Sequence, residues 1–457
     1  MSEQRRATGG SAQELTRAGR WRSPAELGLA LCLLALPRLL FLPLNAGIDI
    51  ENHWRPWLRE LDRYGFSRLY LDSTFNYGPL YAYVMALIAV VDGWLEPVFG
   101  EELAQVLLLK LPPLLAEAGL FWLLYRYVGR YGSREVALIC VLAFGLMPGI
   151  VLDSVVWAQT DGLLTLFAFG CLVALARRRV ALAAALFAAG LALKPQIVIV
   201  APVVLGLGLR QLTPRTLVAA VGGFVGAWLG ISAFFVATGQ TAGMLYWYAE
   251  ATGRYPVLSS HALNGWFLVQ AFSGIRFDAT PLGPIALKSL GSLLYGAFAL
   301  SVAWAVYRWW RSEREDGDVP FVAFAAGVAT FGFYMLPTEM HERYLYPAFF
   351  FLALCLPLAL PWVRITYCAL SATFTVGMLF AIAVETSHNP GAGPLPDQPW
   401  YWPLIVATLV GSLVNLVLLA QTWFALQGWL AVFVPATAPP PESRGGDLAA
   451  PTGPLQS

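Results

Sequence analysis

The sequence has little charge. Asp, Glu, Lys and Arg make up only 12% of its 457 residues, and its lysines are Lys110, Lys194 and Lys288. The net charge of +1 gives no indication of a nucleic-acid partner. Hydrophobic residues reach 58% and the mean hydropathy is +0.62. These values exclude an ordinary soluble domain and are typical of a polytopic membrane protein.

Several motifs of soluble enzymes and secreted proteins are also missing. The chain has no HExxH or CxxC zinc motif, no glycine-rich nucleotide loop and no N-x-S/T sequon. A sugar nucleotide held by a soluble fold is therefore not expected. The five cysteines of the chain all fall inside apolar runs, where they are better explained as small core residues than as disulfide partners. They are Cys32, Cys140, Cys171, Cys355 and Cys368.

Long apolar runs define the predicted architecture. Residues 1–25 are rich in arginine and are followed by the run 26–45, which is long enough to cross a bilayer. A 25-residue arginine-rich leader is long for a cleavable signal, so we expect a retained first span with a cytoplasmic N-terminus. Further apolar runs lie at 79–95, 104–125, 136–152, 162–176, 180–193, 196–209, 216–237, 284–307, 320–337, 346–361, 363–384 and 403–425.

The arginines indicate the orientation of these runs. If the clusters all face the cytoplasm, the run 79–95 cannot cross, and we expect it to be a short interfacial or re-entrant helix containing Asp92. The clusters are Arg126/Arg130/Arg134, Arg177/Arg178/Arg179, Arg210/Arg215, Arg308/Arg311/Arg314 and Arg364.

The predicted fold is thus all-α and polytopic, with about 12 transmembrane helices (range 11–13) between cytoplasmic ends. The transmembrane domain would cover 26–434, with a long first extracytoplasmic loop at about 46–103 that contains interfacial helices. The tail 435–457 is rich in Pro, Gly and Ala and is predicted to be disordered.

One hairpin in this scheme is unusual. Lys194, Pro195 and Gln196 would form its tip, between spans so short that the tip lies below the outer surface. The alternative is one long helix kinked at Pro195, which would invert everything downstream. The distribution of positive charge favours the hairpin.

With this topology, polar side chains collect on the outer face. Asp49 and Glu51 could form an ordinary solvated loop pair. Alternatively, if this stretch of the loop is extended, their side chains point the same way and could act as a general base or a cation site. Asp161 either caps a helix or is functional, because a carboxylate at the membrane edge is costly. The outer face also holds all four histidines: His53, His261, His341 and His388.

The basic candidates have simple alternatives as well. Lys194 either snorkels to the surface or is held in place by Pro195. His341, Glu342 and Arg343 either satisfy one another or present Arg343, an isolated outer arginine, to a phosphate. A divalent cation, Mg²⁺ or Mn²⁺, could bind Asp49 and Glu51, but the sequence requires no cofactor.

Six ordered segments resemble the polytopic GT-C glycosyltransferases, especially bacterial relatives of the GPI-anchor mannosyltransferases. They extend over about 300 residues: D-I-E at 49–51 with the following W-x-x-x-L and G-F-x-x-x-Y, N-Y-G-P-L-Y at 76–81, W-A-Q-T-D at 157–161, L-K-P-Q at 193–196, M-H-E-R-Y at 340–344 and, more loosely, L-S-S-H-A-L-N-G-W at 258–266. Gly78 and Ala158 depart from the family, which usually reads Y-P-P and often reads W-G-Q at these places.

The resemblance implies an extracytoplasmic hexosyltransferase in the plasma (inner) membrane. Its donor would be a polyprenyl-phosphate hexose, most often mannose, its acceptor a glycan, lipid or protein of the cell envelope, and its acidic motifs would be Asp49/Glu51 and Asp161. The set expected to bind substrate is Tyr77, Trp157, Gln159, Lys194, Gln196, His261, His341, Glu342 and Arg343.

Charge suggests a mechanism for such an enzyme. Asp49 would accept the proton of the attacking hydroxyl in one inverting displacement, and Lys194 with Arg343 would stabilise the anionic lipid phosphate that leaves. Two alternatives from other classes remain: a flippase or transporter for lipid-linked sugars, and a non-catalytic subunit of an envelope-assembly complex. The absence of a clear internal repeat weakens the transporter.

Overall fold

A computed structural model describes residues 24–45, 49–250, 253–310, 319–358, 360–387 and 395–433. The predictions for the first 23 residues, for Arg311, Arg314 and His388, and for the C-terminal tail lie outside these ranges. The first helices are α1 Pro24–Phe41, α2 Arg55–Tyr64, α3 Leu69–Asp72, α4 Pro79–Phe99, α5 Glu101–Val128, α6 Arg134–Gly145, α7 Pro148–Val151, α8 Asp161–Ala176 and α9 Val180–Leu193.

The second half is equally helical. Its helices are α10 Ala201–Leu209, α11 Pro214–Ala237, α12 Thr241–Glu250, α13 Gly265–Ser273, α14 Leu287–Trp309, α15 Val319–Met335, α16 Tyr346–Ala353, α17 Pro361–Thr386 and α18 Tyr401–Phe433. Four strands of two residues occur in the described part: β1 Ser259–Ser260 runs parallel to β4 Met340–His341, and β2 Pro281–Leu282 pairs antiparallel with β3 Ile285–Ala286. The predicted all-α membrane class is confirmed.

The count of twelve spans is not confirmed. Within the described ranges, six helices are long and apolar enough to cross a membrane, or seven if a pair bent by 59° at the break between Gly145 and Pro148 is one span. The predicted run 346–361 contains a helix of only eight residues, α16. Helices α8, α9 and α15 are apolar but shorter than 18 residues. Several predicted spans therefore contain helices shorter than a full crossing needs.

The arginine-bearing loops gather at one end of the bundle. Hydrogen bonds join the loop after α5 to the loop after α16, and the ends of α8, α10 and α14 to one another. The Arg177 guanidinium after α8 lies 5.7 Å from the centre of the Tyr127 ring of α5 and links the two groups, as expected if these loops share one side of the membrane. The donors and acceptors are Tyr131 to the Leu354 carbonyl, Arg364 to the Leu356 carbonyl, Arg210 to the Tyr307 and Arg308 carbonyls, and Gln211 to the Leu175 carbonyl.

Helices α9 and α10 form the predicted hairpin. Gln211, just after α10, donates to the carbonyl of Leu175 near the end of α8, so the chain returns to the end from which α9 starts. Lys194 adopts extended backbone angles, and a 3₁₀ turn from Pro195 to Val200 follows it. The Lys194 side chain is buried. The kinked-helix alternative and the snorkelling alternative are both inconsistent with this geometry.

Helix α4 lies along the first loop rather than away from it. The Tyr77 ring, just before α4, is 5.1 Å from the Trp54 ring, and Glu101, just after it, is 3.8 Å from Arg55. Because Trp54 and Arg55 are adjacent, side chains that flank the two ends of α4 both reach the segment where α2 begins. This arrangement favours the interfacial prediction, although α4 has 21 residues and is not short.

An ion pair inside the bundle was not singled out from the sequence. The Arg38 guanidinium of α1 binds Glu117 of α5 through two hydrogen bonds of 2.9 and 3.2 Å, and both residues are buried. Such a pair fixes the position of α1, because separating its members leaves a buried charge unpaired.

Gly78 allows the first loop to approach the hairpin. A Cβ at this position would lie 2.1 Å from the carbonyl oxygen of Ala192 in α9. The backbone angles of Gly78, φ −68° and ψ 160°, suit any residue, so close approach explains the glycine where the family usually has proline.

We therefore expect Gly78→Ala to lower the thermal unfolding midpoint of the purified protein, because the loop must move away from α9. Gly226→Ala is the control, since Gly226 lies in α11 where an added Cβ meets nothing within 4 Å and alanine favours helix by about 1 kcal/mol. Equal midpoints for the two variants would contradict the packing argument.

Candidate active site

A cavity of about 350 Å³ lies between the first loop, the tip of the α9–α10 hairpin and the segment after α15. Of the residues predicted from sequence, Asp49, Tyr77, Lys194, Gln196, His341 and Arg343 line it. Aromatic rings form much of its wall: Trp54, Trp57, Tyr77, Trp247, Tyr255, Tyr295, Phe333 and Tyr344. The cavity thus combines one predicted carboxylate with several cations and a largely aromatic surface.

Asp49 and Glu51 point in different directions. Asp49 has helical backbone angles and residues 50–54 form a π-helical turn, so the extended geometry that would align the two side chains is absent. Asp49 lines the cavity. Glu51 is 44% exposed, accepts from Asn45 and from Arg55 at 2.8 Å, and is not part of the wall. The predicted joint action of the pair is therefore wrong for this conformation.

Glu51 is held by basic and amide donors outside the cavity. Partial burial acts to raise its pKa, but the hydrogen bonds from Asn45 and Arg55 and the positive charge of Arg55 outweigh it and leave the pKa below its usual value. Its carboxylate is therefore stabilised as an anion by partners of the loop itself.

Asp161 and Lys194 form a buried pair. The Lys194 Nζ lies 3.0 and 3.1 Å from the two Asp161 oxygens, and both side chains are almost fully buried. Asp161 is the first residue of α8 but makes no capping bond there, and it does not line the cavity. Lys194 does, with its Nζ 5.5 Å from the Tyr344 ring centre. Asp161 therefore positions Lys194 instead of facing a ligand.

Arg343 is fixed from three sides. Its Nη1 donates to Glu342 at 2.8 Å, its Nη2 is 3.8 Å from Asp49 Oδ2, and its guanidinium lies 5.9 Å from the Trp157 ring centre. Gln159 donates from Nε2 to the same Asp49 oxygen. Trp157, Gln159 and Glu342 do not line the cavity but orient Asp49 and Arg343, which do.

The two predicted histidines of this face have different surroundings. His341 lines the cavity between the Tyr255 and Tyr344 rings. Burial, and then the positive charge of Arg343, His261 and Lys194, lowers the pKa of His341 well below its usual value, so its imidazole is neutral at pH 7. His261 has φ +66° and packs its ring on Phe380, outside the cavity wall.

Two cations of the cavity were not singled out from sequence. Lys288 pairs with Glu339 and lies 3.8 Å from Asp278. Arg254 faces Asn76, whose amide oxygen, once oriented toward it, accepts two bonds of 3.0 and 2.6 Å. The rarity of lysine in the sequence could have marked Lys288 as a candidate site residue. For Arg254, the only such indication in the sequence was its position just before the aromatic segment at 255–266.

The described residues contain no group of three or more His, Cys, Asp or Glu side chains placed to hold a metal ion. Asp49 and Glu51 diverge, and Asp161 is engaged by Lys194. These carboxylates therefore do not form a shared cation site in this conformation.

We expect Lys194→Met to reduce the free energy of unfolding by about 3–5 kcal/mol, because it leaves the Asp161 carboxylate without its partner in the protein interior. The double variant Lys194→Met/Asp161→Asn should recover part of this loss in chemical or thermal unfolding. The control is Arg68→Met, which breaks a half-exposed pair with Asp72 and should cost at most about 1 kcal/mol. A double variant less stable than Lys194→Met would contradict the pairing.

Comparison with known proteins gives a partial match. No family model matches the chain. A dolichyl pyrophosphate Glc1Man9GlcNAc2 alpha-1,3-glucosyltransferase from Eremothecium gossypii is 31% identical over 180 residues, which cover 36% of this chain and 31% of the relative. The chain thus matches about a third of that protein. The relative is a glycosyltransferase by name, which agrees with the predicted class of enzyme, and the match offers no support for mannose as the transferred sugar.

Proposed function

We propose that the protein is a membrane glycosyltransferase that moves a hexose from a lipid-phosphate donor to an acceptor hydroxyl, with inversion at the anomeric carbon. The observation that carries this proposal is the position of Asp49, whose carboxylate lines a cavity of about 350 Å³ within 3.8 Å of Arg343. Lys194 lines the same cavity. A base and two cations therefore meet where a sugar phosphate fits.

Asp49 is assigned the role of general base. Its carboxylate accepts the proton of the acceptor hydroxyl while that oxygen bonds to the anomeric carbon and the bond to the phosphate oxygen breaks. Gln159 donates to Oδ2 and so fixes the plane of the carboxylate. A single displacement with one base needs no covalent glycosyl intermediate, and the configuration inverts.

The cations are assigned to the leaving group. A lipid phosphate departs as an anion, so it needs positive charge rather than an acid, and donors aimed at a developing anion stabilise the transition state. Lys194 and Arg343 are each held by a buried carboxylate, Asp161 and Glu342. Their positions are therefore set before the donor binds.

The aromatic wall is assigned to the sugar. The Tyr77 ring lies 5.1 Å from Trp54 and 6.4 Å from Trp247, and all three line the cavity. Ring faces of this kind suit the apolar faces of a pyranose. The resemblance favours mannose as the hexose, whereas the name of the relative specifies glucose, so both donors belong in the test.

The membrane setting follows from the same geometry. The arginine-bearing loops lie at one end of the bundle, and positive loops face the cytoplasm. We assign the cavity to the extracytoplasmic side of the plasma membrane and propose a glycan or lipid acceptor, in keeping with the lipid-linked glycan in the name of the relative.

Asp49→Asn should lower the transfer rate by ~10²–10⁴-fold, because the acceptor proton loses its base. The measurement is release of labelled hexose from polyprenyl-phosphate glucose and polyprenyl-phosphate mannose by purified protein with a membrane-extract acceptor. Glu51→Gln is the matched control and should retain most activity, since Glu51 lies outside the cavity wall.

Two results of this assay would oppose the proposal. Near-normal turnover by Asp49→Asn, with loss in Glu51→Gln, would reverse the assignment of the base. Donor binding by the wild type without release of either sugar would favour a flippase or a non-catalytic subunit.

We further expect transfer to persist in EDTA, because Lys194 and Arg343 supply the positive charge that a divalent cation would otherwise bring to the leaving phosphate. Wild-type activity is measured with EDTA and after addition of Mg²⁺ or Mn²⁺. Loss in EDTA with recovery on adding either ion would show that a divalent cation takes part.

A further inference from the structure

A second cavity, of about 530 Å³, lies between α2, α4 and the start of α5, in the loop predicted to lie at the membrane interface. Its apolar wall includes Leu58 and Leu61 of α2 and Val90 of α4. The cavity on the far side of α2 is lined by Trp54 and Trp57, so one helix separates the two sites. None of the residues assigned to catalysis lines this second cavity.

Acidic residues dominate the polar part of the second cavity. Asp92, Glu96 and Glu101 line it, and Arg59 is the basic residue among them. Arg59 and Glu101 lie 3.5 Å apart, but both side chains are about half exposed, so this pair is weak and free to exchange partners. The site therefore presents excess negative charge beside one available guanidinium.

Asp92 is a buried carboxylate of this cavity with one oxygen that has no partner. The residue is only 8% exposed, and its Oδ2 accepts from Gln105 at 2.9 Å, whereas its Oδ1 is buried without a hydrogen-bond partner. In the described part of the chain no basic side chain lies within ion-pair distance of it. A buried carboxylate oxygen without a partner is costly, so a ligand that donates an N–H would relieve the cost.

The lipid-facing side of α4 indicates where such a ligand comes from. Val90 lines the cavity and is itself 57% exposed, and Leu87, Trp94 and Val98 continue an exposed apolar surface along the helix. In a helix that lies in the membrane interface, this surface meets acyl chains. A molecule seated between α2 and α4 can therefore keep an apolar tail in the bilayer.

We propose that the cavity between α2 and α4 binds a phospholipid with a primary-amine headgroup of the ethanolamine type. Its ammonium donates to Asp92, its phosphate accepts from Arg59 in place of Glu101, and its acyl chains follow Val90 and the outer face of α4. A choline headgroup carries no N–H and cannot satisfy Asp92, and a glycerol headgroup adds no positive charge to an acidic site.

The test measures lipid-dependent stability of the purified, delipidated full-length protein. Phosphatidylethanolamine, phosphatidylcholine and phosphatidylglycerol with identical acyl chains are added in turn, and the unfolding midpoint is recorded. We expect the ethanolamine lipid to raise the midpoint of the wild type by several degrees more than the other two. Asp92→Asn keeps an acceptor for Gln105 but loses the charge, and it should abolish this difference while leaving the responses to the other lipids unchanged.

Two further variants separate the site from general effects. Gly93→Leu fills the cavity from a position where an added Cβ meets nothing within 4 Å, and it should also abolish the preference for ethanolamine. Asp72→Asn removes a carboxylate of the same loop that does not line the cavity and should behave as the wild type.

Equal responses of the wild type to ethanolamine and choline lipids would overturn the proposal, as would a preference that survives in Asp92→Asn and Gly93→Leu. An equal shift produced by soluble glycerophosphoethanolamine would also overturn it, in favour of a water-soluble amine. No arm of this test measures sugar transfer, so its outcome is independent of the function proposed above.

Discussion

The cost of burying charge in an apolar bundle determines how this protein is arranged. Lys194 lies in the interior and remains there because Asp161 binds its Nζ with both carboxylate oxygens. Arg38 in the last turn of α1 and Glu117 of α5 repeat this arrangement. The first pair holds α8 against the turn after α9, and the second joins α1 to α5 across 79 residues of chain. The buried charges that are most costly to leave unpaired therefore also fix the positions of the helices that carry them.

The same constraint separates ligand-facing residues from their supports. Lys194 and Arg343 reach the cavity, while Asp161 and Glu342 stay behind them as fixed counter-charges. A free cation would move toward solvent or toward the nearest acid of the pocket, whereas a cation with a buried partner presents its remaining donors in one direction. Preorganisation of the pocket thus depends on residues that a substrate does not contact.

Sequence reasoning recovered the elements that follow from charge and hydropathy. Four features were predictable because each depends on the order of charged and apolar residues along the chain. They are the helical class, the common end of the arginine loops, the buried hairpin tip at Lys194 and six of the cavity residues. The count of twelve spans is not confirmed, because helices such as α8 and α9 are apolar but shorter than 18 residues, and apolar composition alone does not distinguish such a helix from a full crossing. The divergence of Asp49 and Glu51 depends on local helix geometry, and the pairing of Arg38 with Glu117 depends on packing between residues 79 positions apart. Neither can be deduced from the order of residues alone.

The π-helical turns at 50–54 and 152–156 constrain the chain in a way that residue identity does not. Each widens a helix by one residue just beside a site residue, Asp49 before the first and Gln159 after the second. Removing one residue from either turn would restore α-helical spacing and rotate the neighbouring segment by about 100°. A deletion in the first turn would move Asp49 out of the cavity, and a deletion in the second would break the hydrogen bond from Gln159 to Asp49. Every side chain of the site would still be present in the sequence. The geometry of the site therefore depends on the number of residues in these two five-residue turns as well as on the carboxylate that they position.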